Sequence, residues 1–310
     1  MGMSDFYGPA DRGESIATLH AALDAGVTLI DTGDFYGMGH NELLIAEALR
    51  GRRRDTVQIS VKFGALRGPG NQWLGFDGRP AAVKTALAYS LRRLNTDYVD
   101  IYRPARLDPK VPIEDTVGAI ADMIKAGYVR HVGLSEVGAE TIRRAAAVAP
   151  VCDLQIEYSL ISRGVEDKIL PVLNELGIGM TAYGVLARGL ISGHWRPGVT
   201  ATADFRTHSP RFKGGNVETN LALVDLMRDF ARARGVSVAQ LAIAWVTARG
   251  PMIVPLVGAR RRDQLAEALG ARGLRLTPDD LAALEALLPK GAAAGARYES
   301  AQMAMLDSER

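Results

Sequence analysis

The chain has almost no cysteine and no long apolar run. Cys152 is the single cysteine among 310 residues, so no disulfide framework can form and a reducing compartment is expected. No window approaches the roughly 18 consecutive apolar residues that a membrane helix requires. The opening MGMSDFYGPADRG lacks the basic and apolar regions of a signal peptide. These absences predict a soluble, cytoplasmic protein with no membrane partner.

Neither sign of charge is in excess. The 37 basic and 35 acidic residues leave a net charge of +2, which gives no reason to expect a nucleic acid as partner. The five histidines do not stand at metal-ligand spacing, so no metal site is predicted. At 47% hydrophobic residues the chain can bury a large core, and we expect a single domain over residues 1–310 of undetermined oligomeric state.

Short apolar runs alternate with longer amphipathic segments along the chain. Strands that alternate with helices imply a parallel sheet with right-handed crossovers, and at this length they predict an α/β fold, the (β/α)8 TIM barrel. The predicted strands are Val27–Asp31, Val57–Phe63, Tyr98–Tyr102, Val129–Leu134, Asp153–Tyr158, Gly179–Tyr183 and Ile253–Val257.

These strands are one fewer than a closed barrel needs. No strand pattern precedes the helical segment that begins at Glu14. We therefore expect either that the first strand is truncated at the amino terminus or that residues 1–5 are its remnant.

An acid, a phenol and an amine lie where two neighbouring strands end. Asp31 closes one strand, Tyr36 lies in the loop that follows, and Lys62 ends the next strand. The active site of such barrels lies at the carboxyl ends of the strands. A lysine keeps a buried carboxylate charged, and an ammonium lowers the pKa of a nearby phenol, so Tyr36 is expected to donate a proton near neutral pH. A salt bridge beside a packed tyrosine would show the same spacing.

Six segments carry a resemblance to a known family. They are LIDTGDFYG, SVKFG, KAGYVRHVGLSE, QIEYSL, TAYGVLARGLISG and VPLVGARRRDQLAEAL. In order and spacing they resemble the aldo-keto reductase superfamily over essentially the whole chain, and GLSE resembles its branch of bacterial and plant reductases, such as pyridoxal reductases. The resemblance implies NADPH-dependent reduction of an aldehyde or ketone. It makes Asp31, Tyr36 and Lys62 three of the family's four catalytic residues, with Tyr36 as proton donor.

The resemblance also implies a set of cofactor-binding residues. Ser135 and Gln155 would hold the nicotinamide carboxamide, and Tyr183 would stack on the nicotinamide ring. Arg260 would form a forked contact with the ribose 2′-phosphate, which favours NADPH over NADH; the alternative is a solvated basic start of a helix. The remaining positions, at the pyrophosphate loop and the adenosine end, are Gly184, Leu186, Arg188, Gly189, Leu190, Gly258, Gln264 and Glu267.

The family's fourth catalytic residue, a histidine at the end of the fourth strand, is missing. In the segment YVDIYRPARLDP the matching position is Ala105. Arg103 should share its inward face, and it either rises into the vacant space to contact substrate or pairs with a buried carboxylate. Arg106 should point the other way and be structural. His131 is expected inside the barrel core.

Two aromatic loops are expected to form the walls of the substrate pocket. The loop of residues 66–78 carries Trp73 and Phe76 in a glycine-rich frame, and long loops with aromatic residues on such barrels usually bind ligands. The second loop, residues 192–216, carries Trp195, Phe205 and Phe212.

Loss of the histidine leaves two alternatives to carbonyl reduction open. The first is an enzyme with shifted chemistry, such as reduction of a carbon–carbon double bond or preferential oxidation of alcohols. The second is a cofactor-binding regulatory protein with little turnover. The residues do not identify the small-molecule carbonyl substrate.

Overall fold

The computed structural model describes residues 1–198 and 204–310. In these residues the strands are β1 (Leu29–Gly33), β2 (Gln58–Phe63), β3 (Ala65–Arg67), β4 (Trp73–Phe76), β5 (Val99–Pro104), β6 (Val129–Ser135), β7 (Val151–Glu157), β8 (Gly179–Tyr183) and β9 (Ile253–Pro255).

The helices lie between and beyond these strands. They are α1 (Arg12–Asp24), α2 (His40–Ala48), α3 (Pro80–Leu94), α4 (Ile113–Lys125), α5 (Ala139–Val148), α6 (Val165–Leu176), α7 (Asn216–Arg232), α8 (Val238–Ala248), α9 (Arg262–Leu269), α10 (Pro278–Leu287) and α11 (Ser300–Met303). Within the described part of the chain, no helix is both long enough and apolar enough to cross a membrane.

Seven strands form one curled parallel sheet in the order β1-β2-β5-β6-β7-β8-β9. Each strand pairs in parallel with the next one in this order, and helices cover the outside of the sheet. The architecture is that of a (β/α)8 barrel with seven strands in the described residues, so the predicted fold class is confirmed. Residues 1–5 form hydrogen-bonded turns, for example from Ser4 N–H to the Met1 carbonyl, so the expectation that they are a strand remnant is wrong.

All seven predicted strands are present, with ends that differ by up to two residues from the prediction. The antiparallel hairpin β3–β4 was not predicted. Its strands are only three and four residues long, and β4 is largely exposed, so neither shows the apolar alternation by which a strand is recognised in a sequence. The hairpin lies over the carboxyl end of the barrel, where it follows β2.

The core forms between the sheet and the surrounding helices. Ile59 and Val61 of β2 and Val83 and Leu87 of α3 are completely or almost completely buried in one continuous apolar cluster. His131 does not belong to this core, because its side chain is exposed at the amino-terminal half of β6; that expectation is wrong.

A polar layer crosses the barrel interior from β5 to β7. The Arg103 guanidinium is fully buried and donates from Nη1 and Nη2 to Asp153 Oδ2, both at 3.1 Å. Gly133 of β6 lies between the two strands, and a Cβ at this position would stand 2.9 Å from Asp153 Oδ1 and 3.1 Å from Arg103 Cζ. The space for the ion pair therefore exists because residue 133 has no side chain.

The first prediction concerns this space. Gly133→Ala should lower the free energy of unfolding by about 1–3 kcal/mol, because the added methyl group overpacks a close-packed layer. Denaturant unfolding of the purified chain measures the change.

A glycine in open surroundings gives the matched control. Gly118 lies in α4, and the position that a Cβ would occupy there is open space. Gly118→Ala should stabilise the chain by up to about 1 kcal/mol, since alanine is the better helix former. Equal effects of the two substitutions would contradict the account of the polar layer.

Candidate active site

Asp31 and Lys62 form a buried ion pair at the carboxyl end of the barrel. Parallel pairing of β1 with β2 brings the two side chains together, with exposed fractions of 6% for Asp31 and 4% for Lys62. Asp31 accepts from Lys62 Nζ at Oδ1, and at Oδ2 it accepts from Ser60 Oγ at 2.9 Å and from Gln155 Nε2 at 2.7 Å. Both carboxylate oxygens are thus held by donors, from the neighbouring strand β2 and from β7 across the barrel.

These contacts set the ionisation of the pair. Burial alone would raise the pKa of Asp31, but the charges of Lys62 and Arg103 outweigh it and bring the pKa below its ordinary value. Burial lowers the pKa of Lys62, and the attraction of Asp31 only partly restores it. The pair is therefore an anion held firmly ionised beside an ammonium that loses its proton more readily than a surface lysine.

Tyr36 lies directly above this pair. Lys62 Nζ is 5.1 Å from the centroid of the Tyr36 ring, so the predicted assembly of Asp31, Tyr36 and Lys62 at one place is what the structure shows. The predicted lowering of the phenol's pKa is wrong: burial, and then the negative charge of Asp31, raise the pKa of Tyr36 well above its ordinary value. The phenol accordingly keeps its proton at neutral pH, which a proton donor requires.

The position of the missing histidine is apolar. Ala105 is 3% exposed and packs with Phe35, Tyr36 and Ala65, and Phe6 and Phe76 close the cluster from outside. Beyond Phe6, a cavity of about 260 Å³ is bordered by Trp73 and Phe205. The two aromatic loops thus reach the mouth as expected for Trp73, Phe76 and Phe205.

The other aromatic residues of the second loop lie elsewhere. The rings of Trp195 and Phe212 pack against each other with centroids 4.9 Å apart, within the main core. They are not pocket walls, which corrects that expectation. Residues 199–203 of this loop are outside the described part of the chain.

The structure places the two arginines near Ala105 differently. Arg103 is held in the barrel by Asp153, so of its two possible arrangements the buried ion pair is present and a substrate contact is not. Arg106, expected to be structural, lies near the mouth: its Nη1 donates to the Ala105 carbonyl at 2.6 Å, and its charge acts to lower the pKa of Tyr36. The alternation of side chains along β5 does not apply to Arg106, because the strand ends at Pro104.

A second wall of the site comes from the ends of β6, β7 and β8. Ser135 and Gln155 are register partners, and Tyr183 ends the adjacent strand. Ser135 Oγ is buried and has no hydrogen-bond partner among the described residues. A buried hydroxyl without a partner is costly, so this atom fits a residue that binds a polar ligand group such as a carboxamide.

Glu136, which the sequence did not single out, organises this wall. It is fully buried with a φ of +53°, and its Oε1 accepts from the Tyr183 hydroxyl at 2.7 Å. Arg297 donates to both Glu136 oxygens, at 2.9 and 2.7 Å. Burial would raise the pKa of Glu136, but Arg297 brings it down to about 2.

Tyr298 is a further mouth residue that the sequence did not indicate. Its hydroxyl is 2.8 Å from the Tyr183 hydroxyl, and its ring packs edge-on to Phe205 at 6.1 Å. Residues 297 and 298 lie more than a hundred positions beyond β8, and no local periodicity marks them. The only signal in the sequence for the contact between Arg297 and Glu136 is the opposite charge of these two distant residues.

The predicted phosphate-binding residues occupy two loops. In the first, Gly184 has a φ of +67° and lies against Glu157, while Gly189 has a φ of +93°. Arg188, expected to help shape the pyrophosphate loop, donates from Nη2 to Glu157 at 3.0 Å. Leu186 is partly buried and Leu190 is buried in the core.

The second loop leads into α9. Arg260 Nη1 donates to the Tyr7 carbonyl at 2.6 Å, and Gln264 Oε1 accepts from the Arg260 N–H. Glu267 is paired with His194 at 2.8 Å, and Gly258 is exposed. The three arginines of this turn, Arg260, Arg261 and Arg262, differ in their partners. Arg262 forms an ion pair with Glu14.

A family model and solved structures agree with this geometry. The model of the Aldo/keto reductase family matches residues 1–289, and the chain belongs to that family. It is 36% identical over 300 residues to a probable aldo-keto reductase 1 from Glycine max, covering 96% of this chain and 86% of the relative.

Two solved structures share the fold. A glycerol dehydrogenase from Gluconobacter oxydans has a TM-score of 0.83 and 31% identity, over 91% of this chain and 87% of that chain. An aldo-keto reductase from Klebsiella pneumoniae, solved in complex with NADPH, has a TM-score of 0.71 and 29% identity, over 90% of this chain and 86% of that one.

A titratable carboxyl group lies two residues before Tyr36. Asp34 is largely buried near Glu42, whose carboxylate is bound by Arg93. Asp34 Oδ1 and Glu42 Oε1 are both buried without a partner among the described residues. Burial, and then the charge of Glu42, raise the pKa of Asp34 to about 7.

This raised pKa predicts a pH-dependent stability. Between the unfolded value of about 4 and the folded value of about 7, the folded chain binds a proton that the unfolded chain does not, so the contribution of Asp34 to stability declines as the pH rises. Asn cannot ionise. The advantage of Asp34→Asn over the wild type in free energy of unfolding should therefore grow by about 2–4 kcal/mol from about pH 4 to pH 8.

Urea unfolding across this pH range measures the difference. The exposed Asp24, which pairs with Arg52, provides the control: Asp24→Asn should show no such trend. A difference between Asp34→Asn and wild type that does not change with pH would mean that Asp34 is ionised in the folded chain.

Proposed function

We propose that this chain is an NADPH-dependent oxidoreductase that reduces an aldehyde or ketone to an alcohol. The observation that carries the proposal is the convergence of Asp31, Lys62 and Tyr36 at the barrel mouth, beside a wall where Ser135 Oγ lacks a partner among the described residues. Membership of the aldo-keto reductase family and similarity to a reductase solved with NADPH support it.

When bound, NADPH supplies the hydride that the carbonyl carbon accepts. The residues of the chain supply the proton and the electrostatic setting. Tyr36 donates its proton to the carbonyl oxygen, and the ammonium of Lys62 stabilises the phenolate that remains. Asp31 holds Lys62 in place and charged, while Gln155 and Ser60 hold Asp31.

The chain's own residues also suit the cofactor. Ser135 and Gln155 would hold the carboxamide, and Tyr183, fixed by Glu136 and Tyr298, would present its ring to the nicotinamide. Arg260 and the start of α9 would bind the adenosine phosphate, with the Tyr7 carbonyl exchanged for phosphate oxygens.

The substrate would lie against an aromatic and apolar surface. With alanine in place of an imidazole, no side chain at position 105 orients the carbonyl oxygen, and Ala105 instead belongs to an apolar cluster with Phe35, against which Phe6 and Phe76 pack. We infer that the carbonyl carries a bulky apolar substituent, which these rings contact.

Oxidation of an alcohol is the second candidate reaction. The similar Gluconobacter structure is named a glycerol dehydrogenase, and the same residues serve both directions because a phenolate at Tyr36 accepts the proton of an alcohol. At neutral pH Tyr36 carries its proton, as reduction requires of a proton donor, because burial raises its pKa above the ordinary value.

Removal of the phenol tests the proposed proton donor. Tyr36→Phe should lower kcat for NADPH-dependent carbonyl reduction by at least about 10²-fold, because the general acid is lost, and NADPH affinity should change little. The assay is NADPH oxidation with a panel of aliphatic and aromatic carbonyls, alongside a fluorescence titration of NADPH.

Tyr102→Phe is the control for loss of a buried hydroxyl. The Tyr102 hydroxyl donates to the Val83 carbonyl on the outer side of the sheet, and its loss should leave kcat within about 2-fold of wild type. Turnover by Tyr36→Phe equal to that of Tyr102→Phe would remove Tyr36 from the mechanism.

Cofactor choice is tested at the start of α9. Arg260→Ala should weaken NADPH binding by about 1.5–3 kcal/mol and NADH binding much less, because a charge-assisted contact with the 2′-phosphate is deleted. Arg262→Ala removes a neighbouring charge that Glu14 already neutralises, and it should affect both cofactors little. Calorimetric titration measures the dissociation constants, and an equal loss for both cofactors in Arg260→Ala would show that Arg260 does not bind the 2′-phosphate.

A further inference from the structure

The layer directly beneath the catalytic pair contains a second buried ion pair. Arg103 is completely buried in it and Asp153 almost so, and Thr181 Oγ1 donates to the same Asp153 oxygen from the opposite side. Breaking a buried ion pair is costly, and an apolar pair of similar volume would hold the barrel equally well. Packing alone therefore does not account for charges at this depth.

A chain of hydrogen bonds connects this layer to Asp31. Arg103 Nη2 donates to Ser60 Oγ at 3.0 Å, and Ser60 Oγ donates to Asp31 Oδ2 at 2.9 Å. The Ser60 hydroxyl has one proton. When it donates this proton to Asp31, its lone pairs point toward Arg103, and the hydrogen bond from the guanidinium in turn fixes the direction of the hydroxyl. The Arg103 side chain is also held by the Leu134 carbonyl, to which its Nη1 donates at 3.2 Å.

We propose that Arg103 is a positioning residue for the Asp31–Lys62 pair, acting through Ser60. Arg103 orients the Asp31 carboxylate from below. Its positive charge also offsets part of the negative charge of that carboxylate, so that less of the negative charge acts on Lys62. The ammonium is then less fully neutralised by Asp31 and acts more strongly on the Tyr36 phenol. The inference rests on the proposed function, in which Lys62 stabilises the phenolate of Tyr36.

Other charges also face the pair and must be held constant in a test. The groups whose charges act on Asp31 or Lys62, besides each other, are Arg103, Arg106, Tyr36 and the Met1 amino group. The pKa of the Met1 amino group is lowered to about 5, so this group is neutral at alkaline pH. The pKa of the buried Tyr36 lies above its ordinary range.

The direct measurement is the titration of Lys62 in the cofactor-free chain. Lysine labelled with ¹³C gives a resonance for Lys62 that is assigned by its absence in Lys62→Met. Arg103→Met should raise the pH midpoint of Lys62 by about 0.5–1.5 units, because the positive charge of Arg103, which lowers the pKa of Lys62, is removed. Arg103→Lys, which keeps the charge, should bring the midpoint back toward the wild-type value.

Two smaller substitutions separate the connection from the stability of the layer. Ser60→Ala leaves the Arg103–Asp153 pair intact and removes only the hydroxyl that links Arg103 to Asp31, so a folded protein is expected. The pH midpoint of Lys62 in this variant should rise, as it does in Arg103→Met. Its single-turnover rate of carbonyl reduction should fall about 3–10-fold with unchanged NADPH affinity. Thr181→Val removes a donor on the far side of Asp153 and should leave both readouts within error of wild type.

The outcomes are distinct. A Lys62 midpoint that is the same in wild type, Arg103→Met and Ser60→Ala overturns the proposal and leaves the ion pair as a purely structural element. Equal shifts of the Lys62 midpoint in Ser60→Ala and Thr181→Val would also overturn the proposal, because the effect would then not depend on the hydrogen bonds that connect Arg103 to Asp31 through Ser60. If the wild type reduced no carbonyl, the proposed function would fail while the titration of Lys62 still decided the role of Arg103.

Discussion

The buried ion pair of Asp31 and Lys62 is the constraint on which the rest of the site depends. Two charges with exposed fractions of 6% and 4% are tolerated only when both are fully satisfied, so other strands must provide donors to the carboxylate. Ser60 and Gln155 meet this requirement from β2 and β7, which fixes the relative register of strands on opposite sides of the curled sheet. The need to satisfy one carboxylate thus ties the alignment of the barrel to the geometry of the Asp31–Lys62 pair.

The second half of the site depends on a different buried acid. Glu136 receives Arg297 and Ser308 from the carboxyl-terminal segment and the hydroxyl of Tyr183 from β8. Because one carboxylate binds both the segment and the aromatic ring, the ring is positioned only when the segment is in place. The wall proposed for the nicotinamide is therefore assembled from parts that are far apart in the chain, whereas Tyr36, the proposed proton donor, and Lys62 come from adjacent βα units.

The residues whose placement in the barrel the sequence predicted are those whose positions follow from local pattern. Asp31 and Lys62 end strands marked by apolar runs, so the general location of the active site follows from the barrel. The protonation of Tyr36 does not follow, since burial and the negative charge of Asp31 raise its pKa and the charge of Arg106 only partly opposes them. For Arg103 the sequence left two arrangements open, because the choice depends on an aspartate that lies fifty positions away and faces it across another strand. The contact of Arg297 with Glu136 spans 161 positions and has no periodic signal.

Gly133 also has a consequence for how this barrel can change over generations. It provides the space for Arg103 and Asp153, and each of the two charges is stable only in the presence of the other. Loss of either partner would leave an unpaired buried charge at a cost of about 3–5 kcal/mol, a large part of the roughly 5–15 kcal/mol that stabilises a typical domain. Replacements at these three positions must therefore be inherited nearly together or in an order that begins with neutral intermediates, so they should vary as a unit among descendants of this chain.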